Sequence, residues 1–191
     1  MAKKKRKSKF ILLGMIIVLL VGAGIYSLKI FRGESKKSSK AIFSGAIPKI
    51  SEKDEKMKIS LYFASLDGEH LVVESREIYR TASEIDQIKQ AIIELIKGPN
   101  KDLIPVIPDG AMLKEVYLDK NGTAYVDFSV ELAKNHSGGS SGEIATIYGI
   151  VNTLCANFYD IKNVQILVEG KAIETISGHL DIRYPFSMKN I

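Results

Sequence analysis

The sequence predicts an α+β fold. It is a two-layer α/β sandwich in which two helices pack on one face of a largely antiparallel sheet, in the order ββαββαββ, preceded by one transmembrane helix. Three observations carry that prediction. An uncharged, mostly apolar run, Phe10–Leu28, lies between two basic clusters. From Lys58 onward, segments alternating apolar and polar residues come in pairs joined by Asp-Gly or Asn-Gly turns. The first two pairs are each followed by a stretch whose apolar residues recur at helical spacing.

The apolar run comes first. At 1.5 Å per residue it spans about 29 Å, close to the hydrocarbon thickness of a bilayer. Lys3, Lys4, Lys5, Arg6, Lys7 and Lys9 precede it and Lys29 to Lys40 follow it, with +6 on residues 1–9 and +4 on residues 29–40. The positive-inside rule and the position at the chain start predict a cytoplasmic N-terminus and an extracytoplasmic domain, periplasmic or on the cell-wall side. A cleaved secretory signal is the competing reading, with Gly22-Ala23-Gly24 as its small residues. The run exceeds the usual signal core of about 7–15 residues, which favours a retained anchor. No cysteine follows it closely, which excludes a lipidation signal. The predicted organisation is therefore a cytoplasmic basic tail (1–9), a signal anchor (10–28), a linker (29–57), a domain (58–186) and a short tail (187–191). Within the linker, Ile42, Phe43, Ile47 and Ile50 form a small apolar island.

Charge narrows the partners. The whole chain carries +5, so once the two basic clusters are set aside residues 41–191 carry −5. Nucleic-acid binding needs clustered cations on the folded part, and this acidic domain excludes it. The single cysteine, Cys155, has no partner for a disulfide and is predicted as a buried small hydrophobe.

Each element of the domain has a local reason. In "KISLYFAS", Ile59, Leu61 and Phe63 share a face; Asp67-Gly68 turns the chain and "HLVVESREIY" returns. Thr81 and Glu84 have the spacing of a capping box, and Ile85, Ile88, Ile92, Leu95 and Ile96 mark a helix that Gly98-Pro99 ends. Pro105 and Pro108 keep "KDLIPVIPDG" extended. "MLKEVYLD" and "TAYVDF" form a second hairpin about Asn121-Gly122. "VQILVEG" reads as a buried central strand, which Gly170-Lys171 turns into a final strand, "AIETI".

The stretch "HSGGSSGEIATIYGIVNTL" is the most ambiguous. It lacks the lysine of a P-loop, and Glu143 in the first helical turn would repel a phosphate. Gly138-x-Ser140-x-Gly142 matches the hydrolase pattern, and the order Ser140, then Asp160 or Glu169, then His179 is formally that of a triad. The preceding strand, however, ends near Phe128, too early for a nucleophile elbow. A capping box from Ser140 and Glu143 accounts for more of the residues, with Ile144, Ile147, Tyr148, Val151, Cys155 and Phe158 on the buried stripe. His70, His136 and His179 show no metal-ligand spacing. No catalytic residue, cofactor or metal site is predicted.

Taken together, "LYFASLDGEHLVVESREI", "AIIELIKGP" with "LIPVIPDG", "AYVDFS", "GGSSGEIATIYGIVNTL", "VQILVEGK" and "SGHLDI" resemble, in order and spacing, the GerMN domain family. The resemblance implies a compact extracytoplasmic α/β module of the sporulation or spore-germination type, related to ring-building modules, with no established catalytic residues. This chain shows one copy where the name-giving protein has two, and an apolar run where that protein has a lipid-modified cysteine. The expected function is a non-enzymatic, membrane-anchored module making contacts with envelope proteins, with itself or with peptidoglycan. Two alternatives stay open: an envelope ester or amide hydrolase using Ser140 and His179, and a small glycan-binding module using Tyr62, Tyr117 and Tyr125.

Overall fold

A computed structural model describes residues 55–191. The expected anchor Phe10–Leu28 and nearly all of the linker lie outside the described residues. Among the described residues no helix is long and apolar enough to cross a membrane.

Two sheets share one core. The first is a hairpin of β1 (Lys56–Ala64) and β2 (Leu71–Tyr79), paired without a bulge from Lys56↔Tyr79 to Ala64↔Leu71. Its inner face carries the buried Ile59, Leu61, Phe63 and Ile78. The second sheet has the order β3-β4-β5-β6: β3 (Leu113–Leu118), β4 (Thr123–Phe128), β5 (Asn163–Val168) and the short β6 (Phe186–Ser187). Three helices complete the fold among the described residues: α1 (Glu84–Ile96), the single turn α2 (Glu131–Lys134) and α3 (Ser140–Asn157).

The α+β class and both predicted hairpins are present. The arrangement differs from two helices on one face of a single antiparallel sheet. The β4–β5 pair is parallel, from Thr123↔Asn163 to Phe128↔Val168. Parallel neighbours need a crossover of a dozen or more residues, and α3 supplies it. That helix touches β1 of one sheet and β5 of the other. It therefore lies between the sheets, and Thr146, Ile147, Gly149, Ile150, Val151, Asn152, Thr153 and Leu154 are all buried. The one-sided stripe expected for α3 is accordingly wrong: Thr146 and Asn152 are interior, and Cys155 is only half-buried.

The polar side chains on α3 have a definite task. Asn157 accepts from the Ser60 amide at 2.8 Å and donates to the Ser60 carbonyl at 2.7 Å, while Thr153 accepts from the Tyr62 amide. With the Ala64↔Ile104 bridge they occupy the outer edge of β1, which no strand covers among the described residues. Gly149 lets this happen. A Cβ there would stand 2.7 Å from Val106 and 3.2 Å from the Tyr62 carbonyl.

The other departures are local. The cap of α1 is Ser83, whose hydroxyl accepts from the Asp86 amide; Thr81 instead donates to the Ser83 carbonyl. "AIETI" forms no strand, the Val168↔Lys171 bridge ending just before it, and the last strand is β6, paired with β5 at Val164↔Phe186. The fold also runs past 58–186, because β1 begins at Lys56 and Asn152 holds Lys189 through both its amide and its carbonyl.

An ionic cluster sits in this core. Glu74 on β2 accepts from Arg76 at 2.6 Å and from the amides of Asn100 and Lys101, and Arg76 donates on to the Glu94 and Gly98 carbonyls at the end of α1. Burial opposes the ionised form of Glu74. Arg76 and the two amides outweigh it and hold the carboxyl below the usual glutamate range.

Candidate functional site

The N-terminal end of α3 meets the β1–β2 turn, the Ile104–Pro108 connector and the His136–Gly142 loop. Two adjoining clefts open there. The smaller, about 180 Å³, is walled by Ala64, Ile104, Pro105, Val106, His136 and Ser141. The wider, about 600 Å³, runs along Asp67, Glu69, His70, Ser141, Ile144 and the C-terminal Ile191. Ser141, Ala145 and Gly68 line both, so they form one groove with an apolar end and an acidic end.

The loop is built from its polar groups. His136 Nδ1 accepts from the Gly138 amide at 3.0 Å, so its proton sits on Nε2, which donates to Thr146 Oγ1 at 3.1 Å. Thr146 donates in turn to the Val106 carbonyl at 2.6 Å. Gly138 and Gly139 follow with φ of +84° and +83°, a region that side chains disfavour. Gly139 is the residue ahead of α3, and no side chain caps the helix. The expected Ser140–Glu143 capping box is thus absent.

Glu143 turns the other way. Its carboxylate is fully buried and accepts from the amides of Ile176 (2.8 Å), Ser177 (3.1 Å) and His179 (2.9 Å). Burial works against the charge, and these amides overcome it and hold the carboxyl below the ordinary range. His179 Nδ1 also lies 3.3 Å from Glu143, with the ring still substantially exposed. The bonds to Glu143 explain why residues 172–182 wrap the domain rather than add a strand.

The hydrolase elements are not assembled. Ser140 is exposed at the start of α3, and no hydrogen bond links it to His179 or His136 among the described residues. The carboxylate beside His179 is Glu143, whereas Glu169 pairs with Lys114 and Asp160 is exposed. Burial raises the Cys155 thiol, against a smaller opposing effect from the Met188 amide, which takes it away from the reactive thiolate. Among the described residues no three His, Cys, Asp or Glu side chains are grouped to hold a metal. Tyr117 and Tyr125 are cross-strand neighbours, but Tyr62 belongs to the other sheet, so the three make no common platform. What sequence reasoning missed is the Glu143 anchor. An acid three residues into a helix signals a capping box just as well, and only the tertiary position of residues 176–179 separates the two.

A family model described as Germane, sporulation and spore germination, matches residues 60–174. The chain belongs to this family. The Germane domain is also similar to solved structures. One is the tandem GerMN domains of the sporulation protein GerM from Bacillus subtilis, at 21% identity and TM-score 0.54, covering 70% of this chain and 46% of that one. Another is the first GerMN domain of the same protein, at 22% identity and TM-score 0.51, covering 69% of this chain and 97% of that one. A Clostridium perfringens chain described as a lipoprotein aligns at 28% identity and TM-score 0.49, covering 73% and 93%. No curated protein sequence matches the chain. The two GerM likenesses establish the fold of the Germane domain.

Proposed function

We propose that the chain is a non-enzymatic, membrane-anchored module that holds its Germane domain on the extracytoplasmic side and makes protein contacts there, in envelope processes of the sporulation or germination type. The carrying observation is the way the polar side chains around the groove are engaged. Glu143, His136, Thr146 and Ser65 are all bonded within the structure, and the acid–base pair that faces the wider cleft, Asp67 with His70 Nδ1 at 3.8 Å, is tied through the Ser65 hydroxyl into the β1–β2 turn. What the groove offers is shape: an apolar wall at Ile104, Pro105 and Val106 and acidic side chains at Asp67 and Glu69. The Ser65 hydroxyl, then the Glu69 amide, lower the Asp67 carboxyl, so that end stays anionic at neutral pH. A protein segment with apolar and basic side chains suits such a groove, and peptidoglycan remains a second target for the same surface.

The anchor reading rests on the uncharged run Phe10–Leu28 and its flanking cations. Alkaline extraction of membranes tests it. Retention in the pellet supports the anchor, and release of a shortened chain would make the run a cleaved signal.

Site-specific crosslinking from Ser141 in the full-length protein in cells tests the contact. Capture of one defined envelope protein, lost in Ile104→Asp, is the expected result. Turnover of generic esters that Ser140→Ala and His179→Ala both abolish would sink the non-enzymatic reading.

A further inference from the structure

The two edges of the β1–β2 hairpin are treated very differently. On β1, Ser60, Tyr62 and Ala64 point their backbone groups outward, and Asn157, Thr153 and Ile104 take them. On β2 the outward positions are the odd-numbered ones. The Leu71 amide donates to the Ile191 carbonyl, and the Gln90 side chain takes both the amide and the carbonyl of Tyr79. Between those two plugs lie Val73, Ser75 and Glu77, all exposed, with no hydrogen-bond partner for their outward backbone among the described residues. Native sheets blunt such edges with a proline, a bulge or an inward-pointing charge. This one has neither proline nor bulge, for the register with β1 runs unbroken over the whole strand, and its inward charges, Glu74 and Arg76, are paired with each other.

We propose that this edge pairs with the same edge of a second copy of the chain, β2 against β2 in antiparallel. The inference rests on the reading of the domain as a protein-contact module and names one of its partners. The open window is symmetric about Ser75, because Leu71 and Tyr79 close it at equal distances. A two-fold axis through Ser75 sets Ser75 against the partner's Ser75 and Val73 against the partner's Glu77. Every free amide and carbonyl of the window then meets its complement, which an isologous interface requires. The charges allow it. The two Glu77 side chains fall about 13 Å apart along the paired strands, beyond a screening length of about 8–10 Å. Each also has Lys56 of its own chain at 3.5 Å. The pairing joins two hairpins into one four-stranded layer. A strand pair alone buries less than the roughly 1,000 Å² of a stable dimer, so the association is weak in dilute solution and strengthened where copies are concentrated.

Directed disulfide trapping tests this on the full-length protein in detergent, in a Cys155→Ser background. Opposed residues of a hydrogen-bonded antiparallel pair have Cα atoms about 5.5 Å apart, inside the disulfide range of about 4.4–6.8 Å. Ser75→Cys is therefore expected to give a disulfide dimer under mild oxidation at least tenfold faster than the exposed control Lys120→Cys. Adding Val73→Glu to Ser75→Cys sets like charges against the partner's Glu77 at both ends of the window and should slow trapping at least tenfold, while circular dichroism reports an intact fold. Equal trapping at Ser75 and Lys120 would overturn the proposal. So would capture of a different protein at Ser75 in cells, with no self-crosslink. Neither result would touch crosslinks made from Ser141, which report on the groove.

Discussion

Replacing Glu143 tests how residues 172–182 are held. The carboxylate is fully buried and bonded to the amides of Ile176, Ser177 and His179. A charged acceptor contributes about 1.5–3 kcal/mol per bond, but Ser177 and His179 are close enough to solvent for water to replace part of it. Ile176 is buried and has no such recourse. We therefore expect Glu143→Ala to lower stability by about 3–4 kcal/mol and Glu143→Gln by about half as much, since the amide oxygen still accepts. For a domain of this size, 1 kcal/mol corresponds to roughly 3–5 °C, so Glu143→Ala should melt about 10–15 °C lower. Urea unfolding followed by far-ultraviolet circular dichroism reads both variants. The pH dependence adds an independent check. The folded-state pKa of Glu143 is depressed below the ordinary value of 4.5, so its contribution is complete above that value and is lost as pH falls through the folded pKa. The gap between wild type and Glu143→Gln should narrow steadily on acidification below about pH 4.5. Equal stability at pH 7, or a gap unchanged at pH 3, would refute the reasoning.

Other expectations follow from packing. Gly149→Ala removes a residue of poor helix propensity, yet its new methyl meets Val106 at 2.7 Å, so we expect a loss of about 1–3 kcal/mol in urea titration, where propensity alone forecasts a gain of about 1. Arg76→Met leaves Glu74 buried without its cation and should cost about 3–5 kcal/mol, with Glu74→Leu added to Arg76→Met recovering part of it in a double-mutant cycle. Ser83→Ala should cost about 1 kcal/mol by loss of the α1 cap, whereas Ser140→Ala should be neutral within about 0.5, because no capping bond is made there. Equal effects of these last two in thermal melts would restore the capping box at α3.

The sequence made the local elements legible and left the assembly hidden. Alternation in "KISLYFAS" and the Asn121-Gly122 turn locate the hairpins because both depend on neighbours in the chain. The period of Ile85, Ile88, Ile92 and Leu95 likewise places α1. α3 misled because a helix between two sheets buries most of its circumference, and its polar residues bond to strand edges. Asn157 looks surface-facing until β1 is set beside it. The long connection between β4 and β5 permits either direction, so the parallel pairing was not legible until α3 was placed between them. At the groove, His136 and Glu143 were visible as residues. Their roles depend on Val106 and on Ile176 to His179, far along the chain.

The clasp of Asn157 on Ser60 has a consequence in time. The two residues are 97 positions apart. At ribosomal rates of about 5–20 residues per second, β1 emerges roughly 5–20 s before the side chains that shelter its edge exist. During that interval the nascent hairpin presents both margins to its surroundings. The lysines at 56 and 58 then act as temporary guards, discouraging neighbouring chains from joining until α3 arrives. Neutralising them should leave the finished domain nearly as stable as before while lowering the yield of chains that reach it.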